Sequence, residues 1–116
     1  MFDQNFRPLR EDEQAIIDRL LSVEFQDRDL ISKQVEQSMV RRIDENGSLE
    51  FKVLVDLSAN VQRRIPVEGQ IPDADGTLIH ILLHVVDHRV KELEIYKDDS
   101  SKVIRMPPAD ELEVIK

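Results

Sequence analysis

The chain has 116 residues, 41% of them hydrophobic and 34% charged, which fits one soluble domain, 1–116, with a modest core and less regular segments at 1–10 and 98–116. No apolar run approaches the roughly 18 residues that cross a bilayer, and 16 basic residues against 24 acidic ones give a formal charge of −8, which opposes binding that depends on counterion release from phosphates. Cysteine is absent, which excludes disulfides and thiol chemistry, and the first residues lack the basic-then-apolar order of a secretory signal. The cytoplasm is therefore the expected location, with neither membrane nor nucleic acid as a partner.

After Pro8, the segment "EDEQAIIDRLLS" sets Ala15, Ile16, Ile17, Leu20 and Leu21 on one helical stripe, with Glu11, Asp12 and Glu13 favouring the positive end of the helix dipole. A second helix is predicted over "DRDLISKQVEQS", with Asp27 as N-cap and Leu30, Ile31 and Val35 as its apolar side. The period then changes to two. Met39–Asp44 and the alternating Leu49, Phe51, Val53 and Val55 read as a β-hairpin closed by an Asn46-Gly47 tight turn. That turn is also the better reading of Asn46-Gly47-Ser48, which matches a glycosylation acceptor. "RRIPVEGQI" reads as a short strand whose Pro66 suits an edge or bulge. "PDADG" follows as a plain turn, because its aspartates fail the fixed offsets of a calcium loop.

"HILLHVVDH" carries all 3 histidines of the chain. On a helix, His80, His84 and His88 would share one face and suggest a metal site. The run is rich in Ile and Val, follows a turn, and passes through Asp87-His88 into the alternating "VKELEIYK", so two antiparallel strands are predicted over Thr77–Lys97. Along a strand, His80 and His84 fall about 13 Å apart, too far to share an ion. Each could meet a partner on another strand, such as Glu92 or Glu94, and a hydrogen-bonded half-buried histidine is the ordinary outcome. His88 at the turn is expected to be solvated.

Other chemistry is sparse. No nucleophile elbow, phosphate-binding glycine loop or HExxH pattern occurs, the pairs Arg41-Arg42 and Arg63-Arg64 read as solvated arginines in strands, and an acid pair such as Asp44 with Glu50 is no more than chance predicts for so acidic a chain. No catalytic residue, cofactor or metal is expected, and a classical enzyme is disfavoured.

The order "RPLREDEQAIIDRLL", "DLISKQVEQSMV", "DENGSLEF" and "PVEGQIPDADGTLIHILLHVVDHRVKELEIYKDD" resembles a family of short bacterial proteins of uncharacterised function, with an RPL-x-x-x-E segment, a GSLEF strand and a long LLHV-containing hairpin. The resemblance spans nearly the whole chain and implies a bacterial origin and a compact α+β domain. It transfers no activity and no site. In similar sequences the Asp87-His88 turn tends to be Asp-Gly, which supports the hairpin.

The predicted architecture is α+β, two N-terminal helices covering one face of an antiparallel meander of four or five strands, with a further strand at Val103–Met106 open and "ELEVIK" as a tail. The run Leu78–Val86 is apolar on both faces: Ile79, Ile81, Leu83 and Val85 on one, Leu78, Leu82 and Val86 with two histidines on the other. Two helices cover only one, so the other needs a lid, either the "ELEVIK" tail folding back or a second subunit. Pairing through the sheet, as a homodimer or with another protein, is the favoured expectation. The favoured function is a non-catalytic protein-interaction or regulatory module. The rival is a small-molecule-binding protein or an enzyme with a pocket between helices and sheet. Either would use His80, His84, Glu92, Glu94 and Tyr96: a cleft around them favours the rival, an open sheet face the interaction module.

Overall fold

The computed structural model describes residues 2–116. Its elements are α1 (Glu11–Leu20), α2 (Arg28–Glu36), β1 (Ser38–Arg42), β2 (Leu49–Val53), β3 (Val67–Pro72), β4 (Leu78–Val86), β5 (Arg89–Lys97), a 3-10 turn at Ala109–Glu111, and β6 (Glu113–Ile115). The α+β class and the antiparallel pairing agree with the expectation. The strand count does not: the sheet has 6 strands in the order β1-β2-β5-β4-β3-β6.

Only β3, β4 and β5 form a meander, because the β1–β2 hairpin docks on the far side of β5 and the chain must cross between β2 and β3. The tail "ELEVIK" supplies β6 beside β3, and the 3-10 turn before it means that helical structure is not all N-terminal. Val103–Met106 forms no strand. Its amides are taken by side chains instead, Val103 N donating to Asn46 Oδ1 at 2.9 Å and Ile104 N to Asp73 Oδ2 at 2.7 Å. Arg63 and Arg64 lie in the irregular crossing segment rather than in a strand. Among the described residues, no helix is long and apolar enough to cross a membrane.

Period-two alternation buries Ile79, Ile81, Leu83 and Val85 of β4 beside Leu93 and Ile95 of β5, and the helices cover that face with Ile16, Ile17, Leu20, Ile31 and Val35. Ala15 is exposed, contrary to expectation, and the buried position on that flank is Glu13. Glu13 survives burial because Arg7 grips it with two nitrogens at 2.8 and 2.9 Å and the Arg10 amide donates to it at 2.9 Å. Burial pushes its pKa up, but these donors outweigh burial and hold it below the ordinary value.

Asp27 is the N-cap of α2, at φ +60°, but caps it through its carbonyl, which accepts the Ile31 amide, while its carboxylate accepts the Asn60 amide at 2.7 Å. Gln34, 0% exposed, is the polar anchor of α2: its amide donates to Leu57 O and His88 O and its oxygen accepts from Val90 N. Gly69 lies where an added Cβ would approach Leu20 Cδ2 to 3.1 Å, so it lets α1 sit close on β3.

Two hairpin turns share an Asp-x-x-Gly pattern. Gly47 N donates to Asp44 O at 3.3 Å and Gly76 N to Asp73 O at 2.9 Å, with φ +91° and +83° at the glycines. The first turn therefore spans Asp44–Gly47, not Asn46-Gly47 alone. The β4–β5 turn is of the two-residue kind, Asp87 and His88 both having positive φ, +51° and +67°.

A buried charge closes the far end. The Lys97 side chain, 0% exposed, places its ammonium 3.1 Å from Asp73 Oδ2 and 2.8 Å from Asp75 Oδ2. The aspartates of the calcium-like turn thus bind an internal amine.

Two outcomes follow from these turns. His88→Gly removes side-chain strain at φ +67° and raises stability by about 0.5–1 kcal/mol in urea melts; an unchanged midpoint means that the side chain's contact with Ala59 O compensates. The second concerns acid. The Ile104 amide leads the interactions that lower Asp73 from 3.8 to about 2. A depressed carboxylate contributes stability above its unfolded value, so that contribution is lost as pH falls from about 4 toward 2. Asp73→Asn flattens this part of the urea-midpoint profile, and an equally steep profile in the variant places the acid sensitivity elsewhere.

Candidate binding face on the open sheet

The face of the sheet turned away from the helices carries Leu78, His80, Leu82, His84 and Val86 on β4. Glu68 and Gln70 flank them from β3, and Glu92, Glu94 and Tyr96 from β5. All five residues expected to matter, His80, His84, Glu92, Glu94 and Tyr96, share it, because period-two alternation on adjacent paired strands puts them there.

They divide into two groups. The His80 ring stacks on Tyr96 with centroids 4.9 Å apart and 15° between planes. Its Nδ1 lies 3.5 Å from Glu68 Oε2, and its Nε2 is in hydrogen-bond contact with Asp98 Oδ1. In the second group, His84 Nε2 is 2.8 Å from Glu94 Oε1, while Arg64 Nε donates to His84 Nδ1 at 3.0 Å. Ligand atoms of His84, Glu92 and Glu94 all lie within 4.8 Å of one another. His80 and His84 have separate partners and share none. His88 is exposed at its turn.

Sequence reasoning missed Glu68, Asp98 and Arg64. Glu68 and Asp98 were accessible in principle, from the alternation of "VEGQI" and by extending the Glu92–Glu94–Tyr96 face two residues further. Arg64 left no local signal, since the crossing segment alone brings it to His84. The imagined pair Asp44 and Glu50 does not form: Asp44 accepts the Asn46 and Ser48 amides, and Glu50 pairs with Arg41 at 2.6 Å. The Arg41 hydrogen bond leads the causes that lower the Glu50 pKa.

The two-sided apolar strand also reads differently in place. Leu82 lies between Glu68 and Glu94 across the ladders, and Leu78, Leu82 and Val86 are half-buried in the single chain. Apolar residues alternate with histidines along this face of β4, and Leu82 is flanked by carboxylates, Leu78 by Pro72 and Val86 by Arg89, so the apolar residues are separated rather than continuous. Clefts elsewhere, around Phe25 and Val61, around Pro107 and Pro108, and beside His88, are lined by other residues. None of the five candidates lines these clefts.

Tyr96, 38% exposed, has its phenol pKa raised, first by burial and then by the charges of Glu68, Glu94 and Asp98. Because the folded value lies above the unfolded one for an acid that ionises to an anion, stability falls as pH rises past 10. The chain has 1 tyrosine, so ultraviolet titration reads it directly: its ionisation shifts to higher pH in the native chain and moves back toward 10 in Glu94→Gln. A native curve matching free tyrosine would show that the acidic face does not reach it.

A family model described as a domain of unknown function (DUF6984) matches residues 6–107. No curated protein and no solved structure matches the chain.

Proposed function

We propose that this chain, which belongs to the DUF6984 family, is a non-catalytic interaction module whose open sheet face docks a lysine- or arginine-bearing segment of another protein. The observation that carries this reading is the stacked, part-exposed His80–Tyr96 pair, ringed by the carboxylates of Glu68, Glu94 and Asp98. An aromatic platform bordered by negative charge suits a guanidinium or ammonium group, which gains both ring-face attraction and ion pairs. None of the candidates lines the clefts around Phe25, Pro107 or His88, which weighs against the pocket-based alternative. Self-pairing through the same face would set Glu68, Glu92, Glu94 and Asp98 against their own copies at neutral pH, and like charges facing each other are unfavourable. A basic partner is therefore favoured over the homodimer that the apolar strand first suggests.

Fluorescence anisotropy with labelled basic and acidic peptides of equal length tests the reading. The basic peptide binds, its affinity falls with added salt, and Tyr96→Ala or Glu94→Lys weakens it about tenfold or more, with circular dichroism confirming that the variants fold. Equal binding of both peptides, or none, overturns it. Sedimentation equilibrium at neutral pH then gives a 13.5 kDa species; a dimer abolished by Tyr96→Ala would assign the face to self-association.

A further inference from the structure

We propose that His84, Glu92 and Glu94 form a site for a first-row divalent cation of the zinc class, built across the β4–β5 ladder. The inference does not rest on partner docking. Spacing along β4 rules out a site shared by its histidines, yet pairing across the ladder supplies what that spacing cannot. His84 is opposite Glu92, Glu94 lies two residues further along the same face of β5, and the ladder register shifts between His84 and Val85. A β-bulge of this kind commonly re-aims a side chain. The outcome is one imidazole nitrogen and two carboxylate oxygens within 4.8 Å of one another.

A tetrahedral ion with bonds of about 2.0–2.2 Å needs donors roughly 3.3 Å apart. His84 Nε2 and Glu94 Oε1 are already at 2.8 Å, so closure asks only for rotation of glutamate side chains on a paired strand. One imidazole with two carboxylates suits Zn²⁺, Co²⁺ or Mn²⁺ better than Ca²⁺, which takes six to eight oxygens. Three protein ligands leave a position for water.

The surrounding charges point the same way. Glu50, opposite Glu92 in the β2–β5 ladder, is held by Arg41 and Lys91. Glu92 itself makes no hydrogen bond or ion pair among the described residues. Two neighbouring carboxylates, one without a partner, repel each other, and a dication between them relieves that repulsion. The His84 side chain is 12% exposed, so its ring is fixed and still reachable from the open face.

Arg64 opposes the ion. By donating to Nδ1, it leaves the ring proton on Nε2, from which it is shared with Glu94. A metal on Nε2 of a neutral imidazole requires that proton on Nδ1, where Arg64 now donates. Metal binding and the Arg64 contact are thus mutually exclusive: the ring proton shifts from Nε2 to Nδ1, and Arg64, an exposed side chain of the crossing segment, withdraws.

Calorimetric titration of the chelator-dialysed full chain with zinc chloride, together with the visible spectrum of the cobalt-loaded chain, tests the proposal. One ion binds per chain in the micromolar range. His84→Ala and Glu92→Gln each weaken it tenfold or more, His80→Ala leaves it unchanged, and Arg64→Gln tightens it several-fold. In the unaltered chain, zinc moves the NMR signals of the His84 ring while those of the His80 ring stay in place, which guards against a variant that fails to fold. Absence of binding below millimolar zinc, affinity indifferent to His84→Ala, or equal loss in His80→Ala overturns the site, the last two marking diffuse attraction to an acidic surface.

Discussion

The Lys97 ammonium, buried between Asp73 and Asp75, fixes the end of the molecule where β5, the β3–β4 turn and the segment after β5 meet. A buried charge is costly to leave unpaired, so the end of β5 can bury Lys97 only with the β3–β4 turn folded over it. Asp73 in turn accepts the Ala74 and Ile104 amides, which ties down the segment after β5. That segment leads through Pro107 and Pro108 to the 3-10 turn and β6, and β6 takes the free edge of β3. The rest of that segment is held by Val103, which packs on the core and donates its amide to Asn46, and by the Lys102–Glu45 ion pair.

Two of the stretches that carry the family resemblance do mechanical work of the same kind. In RPL-x-x-x-E, Arg7 binds Glu13 and fastens the segment before α1 to the helix start. In GSLEF, Gly47 supplies the positive φ of the turn, Ser48 accepts the Ile95 amide through its hydroxyl, Leu49 and Phe51 enter the core, and Glu50 pairs with Arg41 on the next strand. These motifs specify where the β1–β2 hairpin meets β5. Neither of these two supplies a group to the stacked His80–Tyr96 pair, which lies with His84 in the third stretch, the LLHV-containing hairpin.

Local periodicity made the helices, the hairpins and the shared face of His80, His84, Glu92, Glu94 and Tyr96 legible, since each depends on neighbours a few residues apart. What escaped depends on distance or on length. β6 is only Glu113–Ile115, too short to show a period, and strand order rests on the crossing between β2 and β3, which has no pattern of its own. Ala15 was assigned to the core in place of Glu13 because apolarity was the guide, whereas a carboxylate with three donors can be buried as well. Gln34 escaped for the same reason, its partners being backbone groups far along the chain.

The sheet's edges narrow where a partner can bind. Along β1, Arg7 and Val40 exchange two backbone hydrogen bonds of 2.7 Å each, so that edge is already partly occupied. The opposite edge is the short β6, and short edge strands offer little template for strand addition. Recognition by adding a strand is therefore disfavoured at both sides. On the open face, Leu82 is screened by Glu68 and Glu94, so apolar contact alone offers little area to a partner. The groups that remain accessible are part-exposed imidazoles, a phenol, carboxylates and the Arg64 guanidinium beside His84. The carboxylates predominate, so what binds there answers negative charge: a basic side chain over His80 and Tyr96, or a dication at His84 once Arg64 withdraws. Both would neutralise the same acidic strip, so loading the His84 site with zinc would weaken the docking of a basic segment beside it, through charge alone and without a change of fold.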